Sequence, residues 1–337
     1  MPNPHLLIRP FIRREAVLSS RIEGTETEVE ELYAYEAGQI RLPGFEARAD
    51  GHDVREVYNY VKALEYGLKR LATLPVSLRL MCELHERLLE GVRGRHANLG
   101  RFRASQNWVG ADGCRVQEAL FIPPPVPQMR EALYALEQYL HCGEQNPPLV
   151  RLALIHYQFE AIHPFVDGNG RIGRLLVSLL LVHWDLLPLA LLYLSAFFER
   201  RRKDYIRLLR SVSNQGTWQD WVLFFLEGIS TEASDATVRA RRLQDLRARW
   251  RELVTAARTS ALALRLVDYL FEAPIITIPQ AARVLDVTYP SGQRNVEKLL
   301  TAGILRQLGE ESYGKTFVAD EIINIIAHPN PSAPPQL

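Results

Sequence analysis

Cysteine is scarce in this chain: 337 residues hold three, Cys82, Cys114 and Cys142. An odd, sparse set without metal-ligand spacing excludes a disulfide framework and a cysteine zinc site, and it suits a reducing cytoplasm. Long apolar runs are lacking too. The longest in the middle of the chain, Leu175 to Val182, falls well short of the roughly 20 residues a membrane span needs. The N-terminus, Met-Pro-Asn-Pro-His, has no signal-peptide layout. Neither sign of charge prevails: 40 Lys and Arg face 39 Asp and Glu, a net charge of +1. That removes any global pull toward nucleic acid or an anionic membrane. There is no internal repeat, and no G-x-x-x-x-G-K-[ST] occurs, which excludes a P-loop.

What is present is ordinary globular material, 47% apolar and 23% charged, long enough for two or three domains. Apolar residues recur mostly at three- and four-residue spacing, so the chain is expected to be mainly α-helical.

The chemistry concentrates in His163 to Arg174, His-Pro-Phe-Val-Asp-Gly-Asn-Gly-Arg-Ile-Gly-Arg, set between two apolar helical runs. A loop opening into a helix presents unpaired N–H groups and the positive end of the helix dipole, an anion site in outline. Gly168 and Gly170 let the backbone approach a phosphate. Arg171 and Arg174, three apart, fall on one helix face, and two guanidinium forks there suit a polyphosphate. Asp167 is a hard oxygen donor of the kind Mg²⁺ takes beside phosphates. His163 can take a proton near neutral pH, and Asn169 can donate to a phosphate oxygen. Phe165 is expected to anchor the loop in the core. Gly168 to Gly173 also fits G-x-G-x-x-G, but the preceding run is helical rather than a strand, which excludes the Rossmann reading.

These twelve residues resemble the active-site motif of the Fic family, H-P-F-x-D/E-G-N-G-R-x-x-R, at every fixed position. The resemblance implies transfer of AMP from ATP to a Ser, Thr or Tyr hydroxyl of a protein. It implies His163 as the base that deprotonates the hydroxyl and Asp167 as the holder of Mg²⁺ on the α- and β-phosphates. Gly168, Asn169, Gly170 and Gly173 would lie in the nucleotide site, with Arg171 and Arg174 on the β- and γ-phosphates. Tyr205 matches a family tyrosine that lies against the adenine; the neighbouring position, often a second tyrosine, is Ile206 here. Upstream, Ser19-Ser-Arg-Ile-Glu23-Gly24 resembles the family's inhibitory motif, [S/T]-x-x-x-E-[G/N]. By that likeness Glu23 pairs with Arg174 and blocks the γ-phosphate, and Ser19 joins the network.

The implied fold is mainly α: a Fic-type helical core with a small β-hairpin flap, plus a C-terminal winged helix-turn-helix. The boundaries expected are 1–75 for an N-terminal helical region with the inhibitory motif, 76–230 for the catalytic core, 231–261 for a connecting helix, 262–326 for the winged helix and 327–337 for a disordered tail. Helices are expected over 11–23, 76–92, 127–141 and 197–212. Gly24 should cap the first, and Thr25 with Glu28 should form a capping box for the next. Polar loops are expected around Pro43 to Gly51. Met81 and His85 read as packing and surface residues, and Trp218 and Trp221 as core. The stretch Gly100 to Arg103 and Ser105 to Gly110 resembles the approach to the family's substrate flap. Val116 to Ile122, ended by three prolines, would be that flap, an apolar hairpin able to dock an extended protein segment by strand addition.

Residues 238–258 read as a solvated, arginine-rich connecting helix. Beyond them Thr277 with Pro279 and Pro290 with Ser291 open two helices, and Ile304 to Val318 alternates like two short strands around Gly309 to Gly314. That order predicts the winged helix-turn-helix, with Ser291 to Leu300 as recognition helix. Between 262 and 325 six Lys and Arg face eight Asp and Glu, net −2, whereas a DNA reader needs a basic footprint. Protein docking is therefore preferred over DNA. No membrane partner is expected; family habit allows a homodimer. Two other readings compete with AMP transfer: removal of AMP at the same site, with Glu23 activating a water, and a nucleotide-sensing transcriptional regulator.

Overall fold

A computed structural model describes residues 5–38, 52–92, 98–110, 113–142, 146–257, 261–309 and 314–328. The expected loops around Pro43 to Gly51, the centre of the Gly309 to Gly314 turn, Arg258 and the tail from residue 329 lie outside them. In chain order the helices are α1 (His5–Ile22), α2 (Val29–Glu36), α3 (His52–Arg70), α4 (Leu78–Leu88), α5 (Val126–His141), α6 (Pro148–Ile162), α7 (Asn169–His183), α8 (Ser195–Arg200), α9 (Arg202–Gln215), α10 (Trp218–Ala256), α11 (Ala261–Leu270), α12 (Ile278–Leu285), α13 (Tyr289–Thr301) and α14 (Asp320–Ala327). The strands are β1 (Ile275–Thr277), β2 (Arg306–Leu308) and β3 (Thr316–Val318).

The chain divides into two compact units, one of residues 18–25 and 55–232, the other of 1–17, 26–54 and 233–337. In the first, α7 is the axis. Apart from Gly170, every residue from Asn169 to Leu181 is buried, as expected of a helix surrounded by others. Helix α3 reaches it closely: a Cβ on Gly67 would sit 3.0 Å from Leu179 Cδ1. Helices α6 and α4 also pack on α7, and α6 carries α5 and α9.

The second unit holds a three-stranded antiparallel sheet in the order β1-β3-β2, with Ile276 opposite Phe317 and Gln307 opposite the same residue on the other side. Helices α11, α12 and α13 pack on one another. Thr277 caps α12, accepting from Gln280 N at 3.4 Å while Gln280 Oε1 accepts from Thr277 N at 2.9 Å, the start the sequence predicts. The sequence pattern omits β1, whose three residues are too few to show alternation.

Several expectations need correction. The first helix begins at His5, with Pro10 inside it, rather than at residue 11. The capping box of α2 joins Glu28 to Glu31, not Thr25 to Glu28. The helix expected over 197–212 is two, α8 and α9. Where a closing helix and a separate connecting helix are expected, α10 is continuous over 39 residues. Gly228 within it is no break: a Cβ there would lie 2.8 Å from Phe197 Cδ1, so the glycine admits an aromatic ring. Trp221 is fully buried, but Trp218 is 42% exposed. Val116 to Ile122 is not a hairpin ladder. It begins as a 3-10 turn, Val116–Glu118, and pairs through one antiparallel bridge, Val109 with Phe121.

Candidate active site

Helix α6 ends at Ile162, and His163 takes up a left-handed backbone (φ 48°, ψ 60°) as its C-cap. A non-glycine residue there costs about 1 kcal/mol or more, so the surroundings must hold it. They do so through the side chain of Arg103, which is fully buried. Its Nε donates to His163 O at 3.0 Å and its Nη1 to Ser105 O at 3.2 Å, while Nη2 donates to Pro124 O. The backbone N–H of Arg103 adds a bond to Pro164 O at 2.8 Å.

The rest of the loop is fastened in the same manner. Phe165 is buried and stacks on His85, ring centroids 4.0 Å apart. His85 accepts from Gly100 N at Nδ1 (3.0 Å), which leaves its Nε2–H to donate to Asp167 O (3.1 Å). His85 is therefore a buried support of the loop and not the surface residue its spacing suggests. Asn169 spans the loop from within: its Oδ1 accepts from Phe165 N at 2.8 Å and its Nδ2 donates to Phe165 O at 2.9 Å. The amide expected to meet a phosphate is thus occupied in shaping the loop. Gly168 has φ 77° and donates its N–H to Asp167 Oδ1 at 2.6 Å. The Asp167 side chain remains 48% exposed.

A cavity of about 460 Å³ opens beside the start of α7. Of the residues singled out in the sequence, Glu23, His163, Gly170, Arg174 and Tyr205 line it. Ser19, Asp167, Gly168, Asn169, Arg171 and Gly173 are not among its lining residues. The two arginines part company. Arg171 Nη1 donates to Glu56 at 3.2 Å and its Nη2 lies 3.5 Å from Asp167 Oδ1. Arg174, 3% exposed, donates from Nε to Ser19 Oγ (2.7 Å) and from Nη2 to Ser19 O (3.0 Å) and Glu23 Oε1 (2.6 Å). Both forks are engaged rather than free, and the pair of Glu23 with Arg174 is the contact the motifs imply.

Glu23 lies over Gly170, where a Cβ would come within 2.3 Å of its Oε1. Burial pushes the Glu23 carboxyl upward, but the charge and hydrogen bond of Arg174 prevail, with Arg171 and His163 assisting, and hold it below the usual carboxylate range. It is ionised at neutral pH. His163 is lowered to about 4, chiefly by burial, so its ring is neutral there. Its Nδ1 lies 3.3 Å from Glu160 O. A carbonyl only accepts, so Nδ1 carries the proton and Nε2 the free lone pair. This is the state a general base needs.

Tyr205 sits deeper than a residue meant to cover a base. It is 4% exposed and stacks on Phe198 at 4.5 Å. His156 is held between Gly173 O (Nδ1, 3.3 Å) and the Tyr205 hydroxyl (Nε2, 2.9 Å). With Nδ1–H on the carbonyl, the hydroxyl donates to Nε2. Burial lowers His156 to about 3, so it stays neutral. Four contributors escape a reading by motif: His85, Arg103, His156 and Glu160. No local pattern marks the task of any of the four: α6, which carries His156 and Glu160, is buried on nearly every side, so its periodicity singles out neither.

Residues 75–181 match the Fic/DOC family, and residues 1–69 match the Fic/DOC family N-terminal region. A protein adenylyltransferase Fic from Drosophila mojavensis is 29% identical over 185 residues, 53% of this chain and 33% of that protein. Its counterpart from Drosophila grimshawi is 28% identical, over 53% of this chain and 34% of that protein. The chain thus spans about a third of the length of the curated relatives it matches. A Fic family protein from Desulfovibrio desulfuricans G20 shares the fold at a TM-score of 0.60 with 21% identity, over 94% of this chain and 88% of that chain. A Fic domain containing signaling protein from Bacteroides thetaiotaomicron does so at 0.57 with 19% identity, over 71% and 89%. The two matched stretches, 69 and 107 residues, together take in 176 of 337, and the second carries the loop and the arginines just described: the chain belongs to the Fic/DOC family.

Proposed function

We propose that this protein transfers AMP from ATP to a Ser, Thr or Tyr hydroxyl of a protein, and that Glu23 restrains the transfer. The observation that carries the proposal is the neutral His163 ring on the wall of one cavity with Arg174 and the first turn of α7. In the step inferred, Nε2 of His163 takes the hydroxyl proton. The freed oxygen bonds to the α-phosphorus, and the α–β bridge breaks with its electron pair leaving on pyrophosphate. Donors fixed before the reaction, on the helix terminus and Arg174, stabilise the charge that develops.

Magnesium fits this site as a companion of the phosphates. Asp167 offers an exposed carboxylate whose Oδ1 is oriented by Gly168 N, and one hard oxygen ligand plus phosphate oxygens is a usual Mg²⁺ set. When bound, Mg²⁺ neutralises phosphate charge.

Glu23 supports the restraint because its ionised carboxylate occupies the fork of Arg174 that a terminal phosphate would use. The same carboxylate on the cavity wall supports the alternative of AMP removal, with Glu23 activating a water. In the C-terminal part, the order α11, β1, α12, α13, β2, β3 supports a winged helix-turn-helix, and its acidic balance favours a protein partner.

The test is intact-mass analysis after incubation with ATP and Mg²⁺. Glu23→Gly should gain the mass of one AMP faster than wild type, and adding His163→Ala should lower the rate by about 10²- to 10⁴-fold. Labelling that survives loss of His163 removes it as the base. Release of AMP from a modified protein, lost in Glu23→Gly, would favour the reverse reaction.

A further inference from the structure

Glu160 is the cavity's second acidic side chain, and neither the motifs nor the reaction above uses it. It stands on the last turn of α6, three residues before His163, and lines the cavity with Arg174 and Tyr205. Its Oε1 is closed to water and has no hydrogen-bond partner. It lies so near α7 that a Cβ on Gly173 would come within 2.3 Å of it, which gives that glycine a packing reason. Arg174 donates to Glu23 and Ser19. A carboxylate with one oxygen buried and unpaired, beside an ionised carboxylate, is costly; a neutral acid is less so.

We propose that Glu160 is a carboxylic acid in the working protein, and that its O–H donates to an anionic oxygen of the phosphate chain bound in this cavity. The inference rests on the nucleotide reading and adds to it a donor that takes its proton from solvent. Groups of every sign surround the carboxyl. Glu23 comes from the turn after α1 and Arg174 from α7; Tyr205, Arg202 and Arg210 come from α9; His156 and His163 belong to its own helix and the loop that follows. Both rings are neutral near pH 7. Burial pushes Glu160 up to about 7 against the pull of Arg174, and the charge of Glu23 adds to the rise. Phosphate in the place of Glu23 supplies the same negative neighbour, so binding favours the protonated acid. Affinity should then fall as pH rises, because proton uptake accompanies binding.

ATP with saturating Mg²⁺ is titrated calorimetrically into Glu23→Gly and into Glu23→Gly with Glu160→Gln, at about pH 6 and about pH 8.5, in buffers of different ionisation heat. The first protein should lose about tenfold more affinity than the second across that interval and should take up a fraction of a proton that the second does not. Equal pH dependence and equal proton uptake in the two would overturn the inference while leaving the nucleotide reading intact. Failure of ATP to bind either protein at any pH would sink both. A ligand-free check uses wild type, where the infrared band of a protonated carboxyl should be present near pH 6 and lost in Glu160→Gln. Absence of that band also overturns the proposal.

Discussion

From His163 to Asn169 the carbonyls of His163, Pro164, Phe165 and Asp167 each accept a hydrogen bond, from Arg103, Asn107, Asn169 or His85. From Val109 to Ile122 the described backbone is tied across by the pairing of Val109 with Leu120 and Phe121. Both segments border the same cavity. The first presents buried polar groups that are satisfied; the second presents Leu120 and Ile122, 52% and 54% exposed. The contrast is what the proposed roles, a base on one segment and a docking edge on the other, would demand. A base must be aimed to within a fraction of an ångström, whereas a surface that accepts an extended chain needs free edge and apolar reach.

The two segments share one anchor, and removing it should have the largest effect. Arg103 bonds to His163 O on the loop and to Ser105 O and Pro124 O flanking the flap. Arg103→Ala leaves three partly buried carbonyls without this donor and empties the space of a fully buried side chain, and should cost about 3 kcal/mol or more in denaturant unfolding. Arg103→Lys should recover only a minor part, since an ammonium cannot reproduce a planar fork aimed at three acceptors. A loss below about 1 kcal/mol would mean the loop keeps its shape without this residue.

Acid should separate the segments next. The loop is supported by His85, lowered to about 4 mainly by burial, and it carries His163, also about 4; His156 beside it is lowered to about 3. The flap has no histidine. Below the ordinary histidine pKa of about 6.5 the unfolded chain takes up protons that these buried rings refuse. Stability from this source is complete above that value and declines as pH falls toward 4. Between pH 6.5 and 5 the loss should reach about 2 kcal/mol per ring at most. Unfolding midpoints against pH should fall in that window and fall less in His85→Asn. An unchanged slope in the variant would take His85 out of the set.

How much of this was legible follows from sequence separation. His163, Asp167 and the two arginines sit within twelve residues, so their loop-then-helix arrangement follows from local pattern alone. The partner of Arg174 lies 151 residues away and was reachable through a second short motif. Arg103 is 60 residues from the carbonyl it holds, and His85 is 82 from its own. Neither carries a local signature, because the task of each is defined only when α4 and the chain after it fold against the loop. Occupancy was equally hidden. Asn169 and Arg171 have the side chains an anion site wants, but Asn169 is spent on Phe165 and Arg171 on Glu56. A motif states which groups are near; only packing states which are still free.

The smallest effect should come from the flap, and it tests whether that segment's exposed apolar surface serves docking. Ile122 is exposed and does not line the cavity, so Ile122→Asp should change unfolding free energy by no more than about 0.5 kcal/mol. If the flap docks the hydroxyl-bearing chain through apolar contact beside a strand edge, a charge there raises the KM for a protein target several-fold. On the proposed reading the KM for ATP should stay where it was, because α7 and its loop, rather than the flap, would hold the nucleotide. Equal rises in both constants would place the flap with the nucleotide and end the contrast between an aimed loop and a receptive edge. A rise confined to the target would locate the first contact of that target within a few residues of Phe121.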